Sequence, residues 1–275
     1  MSITTAEGAL ADQVARPSRL RRRVTAAAYP TAAVVFIVLL WQAVVVGLRV
    51  PVFVIPTPVS VGRALVENWP LLLANLQPTA IESLLGFLAG NAFAAVLAVI
   101  FVSSRSMERA FFPLAVVLRT IPIVAIAPVL VLMLGYGYAP KIVIAALITF
   151  FPTLVNLVRG LNAIEPQQAE LLRVLSASSA EVMTKVRIFA ALPYLFAALK
   201  IGAPAAVIGA IVAEWIGARS GIGYLIIQET QDFLTPLLYA TMIVASLFAL
   251  LMLVAVSLTE RAVVRWDPGA AARNV

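Results

Sequence analysis

The chain has 275 residues, of which 62% are hydrophobic and 12% charged, whereas an ordinary soluble domain carries about 25% charge. That balance excludes a soluble fold and specifies an all-α, polytopic membrane protein. With no cysteine and no histidine, disulfide and thiolate chemistry are excluded, and the commonest metal ligand and general base are missing.

The net charge of +7 matters less than its position. Arg16, Arg19, Arg21, Arg22 and Arg23 precede the first apolar run, so residues 1–28 are expected to be a cytoplasmic tail. A nucleic-acid role for this cluster is disfavoured by the long apolar run that follows. A cleavable signal peptide is disfavoured by the length of that run and the lack of a small-x-small site after it. The first span is Thr31–Leu48, long enough for a hydrocarbon core of about 30 Å. Trp41 reads equally well as core or interface.

Pro51, Pro56 and Pro58 interrupt the chain next. Thr57-Pro58-Val59-Ser60 is suited to start a short surface helix with Val61, Leu65 and Trp69 on one face. The second span is expected from about Pro78 to Val102, with Gly86 and Gly90 as a small-xxx-small contact step and Glu82 and Asn91 facing protein or a cavity. A short basic loop, Ser103 to Arg109, leads to the third span, Phe111–Leu134, which Pro122 and Pro128 kink. That span also carries Arg119, a residue costing about 2.5–3.5 kcal/mol at mid-bilayer. Arg119 could hold an anionic solute, pair with Glu214 or Glu82, or snorkel to the inner surface. The fourth span, Ile142–Val158, contains Pro152 and ends near Asn156.

Between the fourth and fifth spans lies the densest charge in the chain, from Glu165 to Arg187. Pro166 suits a helix's first turn. Ala169, Leu172 and Val174-Leu175 supply an apolar stripe with Leu171 beside it. Ser178 and Glu181 form a capping box, and Glu181 pairs with Lys185 at i,i+4. The expectation is a helical hairpin with one face free for another molecule; the alternative is a solvated loop. Arg159, Arg173, Lys185 and Arg187 place it inside. The fifth span runs about Leu192–Trp215, with Lys200 near its inner and Glu214 near its outer end. A glycine-rich outer segment from Ile216 to Pro236 follows, whose middle, Tyr224-Leu225-Ile226-Ile227, is expected to dip into the membrane as a short helix. The last span is Leu237–Leu258, with Arg261 and Arg265 inside. Six spans put both termini in the cytoplasm. The permease-like body covers 29–266, with a core at about 76–262, a coupling loop at about 165–190 and a C-terminal tail at 267–275.

Glu170-Leu171-Leu172, three residues, then Ser176-Ala177-Ser178, and later Ala191-Leu192-Pro193, resemble the cytoplasmic loop of ABC-importer permeases, Glu-Ala-Ala-x3-Gly. Ile55-Pro56-Thr57-Pro58, Leu118-Arg119-Thr120-Ile121-Pro122, Phe150-Phe151-Pro152 with Asn156, Val212-Ala213-Glu214 and Gly221-Ile222-Gly223-Tyr224 resemble the nitrate/sulfonate/taurine-type branch. The resemblance implies a permease subunit in the bacterial inner membrane that passes a small solute, such as a sulfonate-, taurine- or nitrate-like anion. It implies a second permease copy, two cytoplasmic ATPase subunits and an extracytoplasmic solute-binding protein as partners, besides the lipid bilayer, and no nucleic acid. Glu170, Leu171, Leu172, Arg173, Ser176 and Ala177 would couple to the ATPase, and Arg119, Asn156 and Glu214 would line or gate the path. No cofactor is expected on this chain: ATP belongs to the partner, since no Gly-x4-Gly-Lys-Ser/Thr occurs. Ser176 stands where that family has glycine and gives up the ease of positive φ, so a looser or differently turned break is expected. A stand-alone secondary transporter is the alternative, with Glu82 and Glu214 as its only intramembrane acids. An intramembrane enzyme ranks last without His or Cys.

Overall fold

A computed structural model describes residues 19–118 and 120–264, and every regular element among them is helical. Arg16, Arg119, Arg265 and the tail at 267–275 lie outside the described residues. The elements are α1 (Arg19–Gly47), α2 (Pro58–Glu67), α3 (Trp69–Ser103), α4 (Arg105–Leu118), α5 (Ile123–Leu134) and α6 (Tyr138–Leu161). They continue as α7 (Pro166–Val174), α8 (Ser179–Val182), a π-helical turn (Met183–Arg187), α9 (Ile188–Glu214), α10 (Ile222–Gln231) and α11 (Thr235–Val263).

The middle of the molecule is α6, packed between α3 and α9. Small residues let the three helices approach. A Cβ on Gly86 would lie 2.5 Å from Ala145 Cβ and 2.8 Å from Ile142 O, and one on Gly209 would lie 2.6 Å from Ile148 Cδ1. The expected small-xxx-small step on α3 is therefore a real helix contact, made against α6. Asn91 and Thr153 cross the same interface with a 2.5 Å hydrogen bond. Lys200 on α9 pairs with Glu260 on α11. Trp41 is half-buried and rests on Tyr239 of α11, ring centroids 5.9 Å apart.

Among the described residues, four helical runs are long and apolar enough to cross a membrane: Trp69–Ser103, Tyr138–Leu161, Ser179–Glu214 and Thr235–Val263. Thr31–Gly47 and Ile123–Leu134 are shorter apolar helices. Several expected boundaries move. α1 already begins at Arg19, inside the stretch read as tail. α3 starts at Trp69 rather than Pro78, because Pro70 occupies its first turn, where a missing N–H costs nothing. The expected basic loop at Ser103–Arg109 is mostly the first turns of α4. The third apolar stretch is two helices, not one kinked span. Thr120 to Pro122 breaks it, and α5 carries a single buried residue, Ala127.

Candidate functional site

The Glu165–Arg187 segment folds as one short helix, a tight turn and the start of a second, longer helix, where a pair of short helices was expected. Pro166 opens α7 with Glu165 as its cap residue. Its end is a Schellman turn: the Ser176 amide donates to Arg173 O and the Ala177 amide to Leu172 O, each at 3.0 Å. Ser176 takes the left-handed conformation this turn demands, φ 53°. The turn is thus the one glycine would make, closed by backbone bonds alone, and not a looser break. The capping box is complete: the Glu181 amide donates to Ser178 Oγ at 3.2 Å, and the Ser178 amide to Glu181 Oε2 at 3.1 Å. Glu181 and Lys185 pair at 3.0 Å on the surface.

The second helix is not a separate element. α8 runs through the π-helical turn into α9, so Leu192 and Pro193 sit inside a helix. The hairpin's faces are also split. Ala169, Leu172 and Ala177 turn toward the body, bordering a cavity of about 670 Å³ that Ser103, Leu161 and Arg187 close from the other side. Leu171, Val174 and Leu175, at i, i+3 and i+4, point away and are 58%, 77% and 67% exposed. Glu170 and Ser176 are exposed beside them, while Arg173, also exposed, borders the cavity. The stripe read from the sequence is therefore two faces, one half-buried against the cavity and one open.

A second polar site lies at the opposite end of the bundle, where α3 and α6 begin and α9 ends. Glu214 is 1% exposed. Its Oε1 accepts from Thr79 Oγ1 at 2.6 Å and its Oε2 from the Gly223 amide at 2.5 Å. The Ile222 amide donates to Thr79 Oγ1 at 2.8 Å and the Gly221 amide to Asn75 Oδ1 at 3.0 Å. The amide of the cap residue Gly221 and the first two amides of α10, which no helical bond can serve, are thus satisfied by acceptors from α3 and α9. Glu214 also places its carboxylate at the positive end of α10. Gly221 has φ 119°, and a Cβ there would overlap the Glu214 carboxyl. One helical turn along α3, Glu82 Oε1 binds Lys141 Nζ at 2.8 Å, both groups buried.

Among the expected path residues, the structure separates Asn156 from Glu214. Asn156 is half-buried near the hairpin end and donates to its own helix at Pro152 O, 2.7 Å. Glu82 takes Lys141 as partner. Sequence reading missed Lys141, because the span was started one residue later at Ile142. It also missed Asn75 and Thr79, although Asn75, Thr79, Glu82, Gly86 and Gly90 recur at helical spacing as one polar and small-residue stripe. A further cavity of about 240 Å³ lies beside the α4–α5 break, lined by Ile121, Ile126, Ile148 and Phe151 among others.

Residues 83–266 match the family described as binding-protein-dependent transport system inner membrane component. A probable ABC transporter permease protein of Haemophilus influenzae is 35% identical, over 81% of this chain and 87% of that one. The riboflavin transport system permease protein RibX of Chloroflexus aurantiacus is 32% identical, over 82% and 85%. The putative aliphatic sulfonates transport permease protein SsuC of Bacillus subtilis is 31% identical, over 84% of each. All three are named as permeases, which sets the stand-alone alternative aside. The apolar helical bundle, its hairpin and these matches converge: the chain belongs to the binding-protein-dependent inner-membrane component family and is a permease subunit of an ABC importer.

Proposed function

We propose that the hairpin of α7 and α8 is the cytoplasmic coupling element of this permease, and that Glu170, Leu171, Arg173 and Ser176 dock into a groove on a separate ATPase. The carrying observation is the open apolar triad Leu171, Val174 and Leu175, rimmed by Glu170 and Arg173. Three exposed apolar side chains on a nine-residue helix and its C-cap residue are costly in water and typical of a surface another protein covers. Leu172 and Ala177, on the half-buried cavity face, set the hairpin's angle against the body. ATP is consumed by the partner and no cofactor sits on this chain. The ATPase-driven cycle moves two copies of the permease between inward- and outward-open states.

In this reading the chain crosses a bacterial inner membrane six times with both termini inside. Thr31–Gly47 supplies one crossing, and α4 with α5 supplies a broken one. Arg159, Arg173, Lys185 and Arg187 gather at the hairpin end, as cytoplasmic ends do. The opposite end, including residues 216–236, receives a solute-binding protein. The solute is a small molecule, a sulfonate-, taurine- or nitrate-like anion or a related compound; the sulfonate-permease relative supports that class. The apolar cavity beside the α4–α5 break suits the organic part of such a solute.

Co-purification with the ATPase tests the coupling role. Glu170→Lys combined with Leu175→Glu should release the ATPase from a permease that still elutes as the wild type does. Full retention of the ATPase by that variant would overturn it.

A further inference from the structure

α8, the π-helical turn and α9 form one continuous helical run of 36 residues, Ser179–Glu214, a rod of roughly 54 Å at about 1.5 Å per residue. Its first residue follows the capping box of the hairpin. Its last residue is the carboxylate that caps α10. The two polar sites described above are therefore the two ends of one helix.

The far end is tied with unusual completeness. Asn75 and Thr79 come from α3, Glu214 from α9, and the three amides they serve from the first turn of α10. Thr79 is the keystone, since its hydroxyl donates to Glu214 Oε1 while accepting from Ile222 N. Asn75, Thr79, Glu214, Gly221, Ile222 and Gly223 are all buried. A buried polar network with its members satisfied is rigid, and loosening it strands unpaired groups. α10 therefore cannot tilt without pulling on the end of the rod.

We propose that Asn75, Thr79 and Glu214 are positioning residues that relay the docking of the solute-binding protein, received on α10 and its flanking loops, down α9 to the ATPase-facing hairpin. This rests on the coupling role assigned to the hairpin above. The π-helical turn at Met183–Arg187 lies within this run, one turn from its hairpin end, at a place where such a turn allows a change of register. The relay touches no solute atom. It requires only that displacement of α10 and displacement of α9 be the same event.

The test is ATP hydrolysis by the complete transporter in lipid nanodiscs, with and without solute-loaded binding protein. Thr79→Val keeps the volume and removes the hydroxyl, whereas Thr79→Ser keeps it. Thr79→Val should leave hydrolysis without binding protein near the wild-type rate and cut the stimulation by binding protein at least fivefold. Thr79→Ser should restore that stimulation. A merely structural role would lower both rates together and would not separate Val from Ser. Because the chain has no cysteine, spin labels at Leu73 and Gln228 report the clasp independently of hydrolysis. Their distance distribution should broaden in Thr79→Val and stay narrow in Thr79→Ser. Equal stimulation of wild type and Thr79→Val, or an unchanged distribution, overturns the relay. A wild-type complex that binding protein does not stimulate at all would instead overturn the coupling reading, and the relay with it.

Discussion

Gly86→Ala and Gly62→Ala should move stability in opposite directions although both replace a helical glycine. On Gly86 the new methyl would lie 2.5 Å from Ala145 Cβ, 2.8 Å from Ile142 O and 3.0 Å from Ala146 N. Comfortable carbon contacts are about 3.5–4.0 Å, so α3 and α6 must part by roughly an ångström. Two of the three obstacles are backbone and cannot rotate away. Nor can α6 retreat, since a Cβ on Gly209 of α9 would already lie 3.2 Å from Ala145 Cα on its other side. Overpacking of this kind costs about 1–3 kcal/mol, and the rigid surroundings place it in the upper half of that range. Alanine's better helix propensity returns about 1 kcal/mol, leaving a net loss of about 1–2 kcal/mol. On Gly62, exposed on α2, a Cβ would meet nothing within 4 Å. There only the propensity and unfolded-state terms remain, and the variant should gain about 0.5–1 kcal/mol. Detergent-solubilised protein unfolded by heat, followed by circular dichroism, reads both shifts. Adding Ala145→Gly to Gly86→Ala should recover part of the loss. Two variants that shift the midpoint the same way would refute the packing argument.

Three further outcomes are expected. Ser176→Gly relieves a left-handed residue costing about 1–2 kcal/mol and adds about 0.5–1 kcal/mol of unfolded-chain entropy, so the Ser176 and Ala177 amides should exchange with solvent a few-fold more slowly; faster exchange would contradict the turn geometry. Lys141→Met strands the buried Glu82 carboxylate and should cost about 3–5 kcal/mol; Glu82→Gln added to it should recover most of that in the same melting assay, and no recovery would mean the pair is not what Lys141 serves. Glu229, on α10 between the candidate spans, is 2% exposed and bonded only through Oε1, from Thr241 at 2.8 Å, and burial lifts its carboxyl from 4.5 to about 7. Because the folded state holds the proton more tightly, stability is full below about pH 4.5, falls as pH rises toward 7 and then levels off, a loss on the order of 3 kcal/mol. Melting of Glu229→Gln across that range should be flatter, and an equally steep profile would clear Glu229 of the effect.

What could be read before folding divides by distance along the chain. The capping box of Ser178 with Glu181, the Glu181–Lys185 pair and the Thr57 cap of α2 each span three or four residues. Helix geometry alone brings such groups together, so spacing is enough to find them. Glu82–Lys141 and Thr79–Glu214 are 59 and 135 residues apart, and their meeting depends on the register of α3 against α6 and α9. That register is set by Gly86, Gly90 and Gly209, which announce a close contact but not its partner. The stripe Asn75, Thr79, Glu82, Gly86 and Gly90 shows which side of α3 faces protein, and no more. The hairpin fails in another way. Its apolar residues suggest one face by composition, yet the helix that ends at the Ser176 turn splits them, leaving Leu172 half-buried and Leu175 outside. The same turn explains why a serine does not abolish the motif. A Schellman turn is closed by the amides of Ser176 and Ala177 on Arg173 O and Leu172 O, bonds every residue but proline can make. Glycine lowers the strain of that turn without supplying any of its bonds, so the side chain at this position tunes the hairpin's stiffness while the backbone fixes its shape.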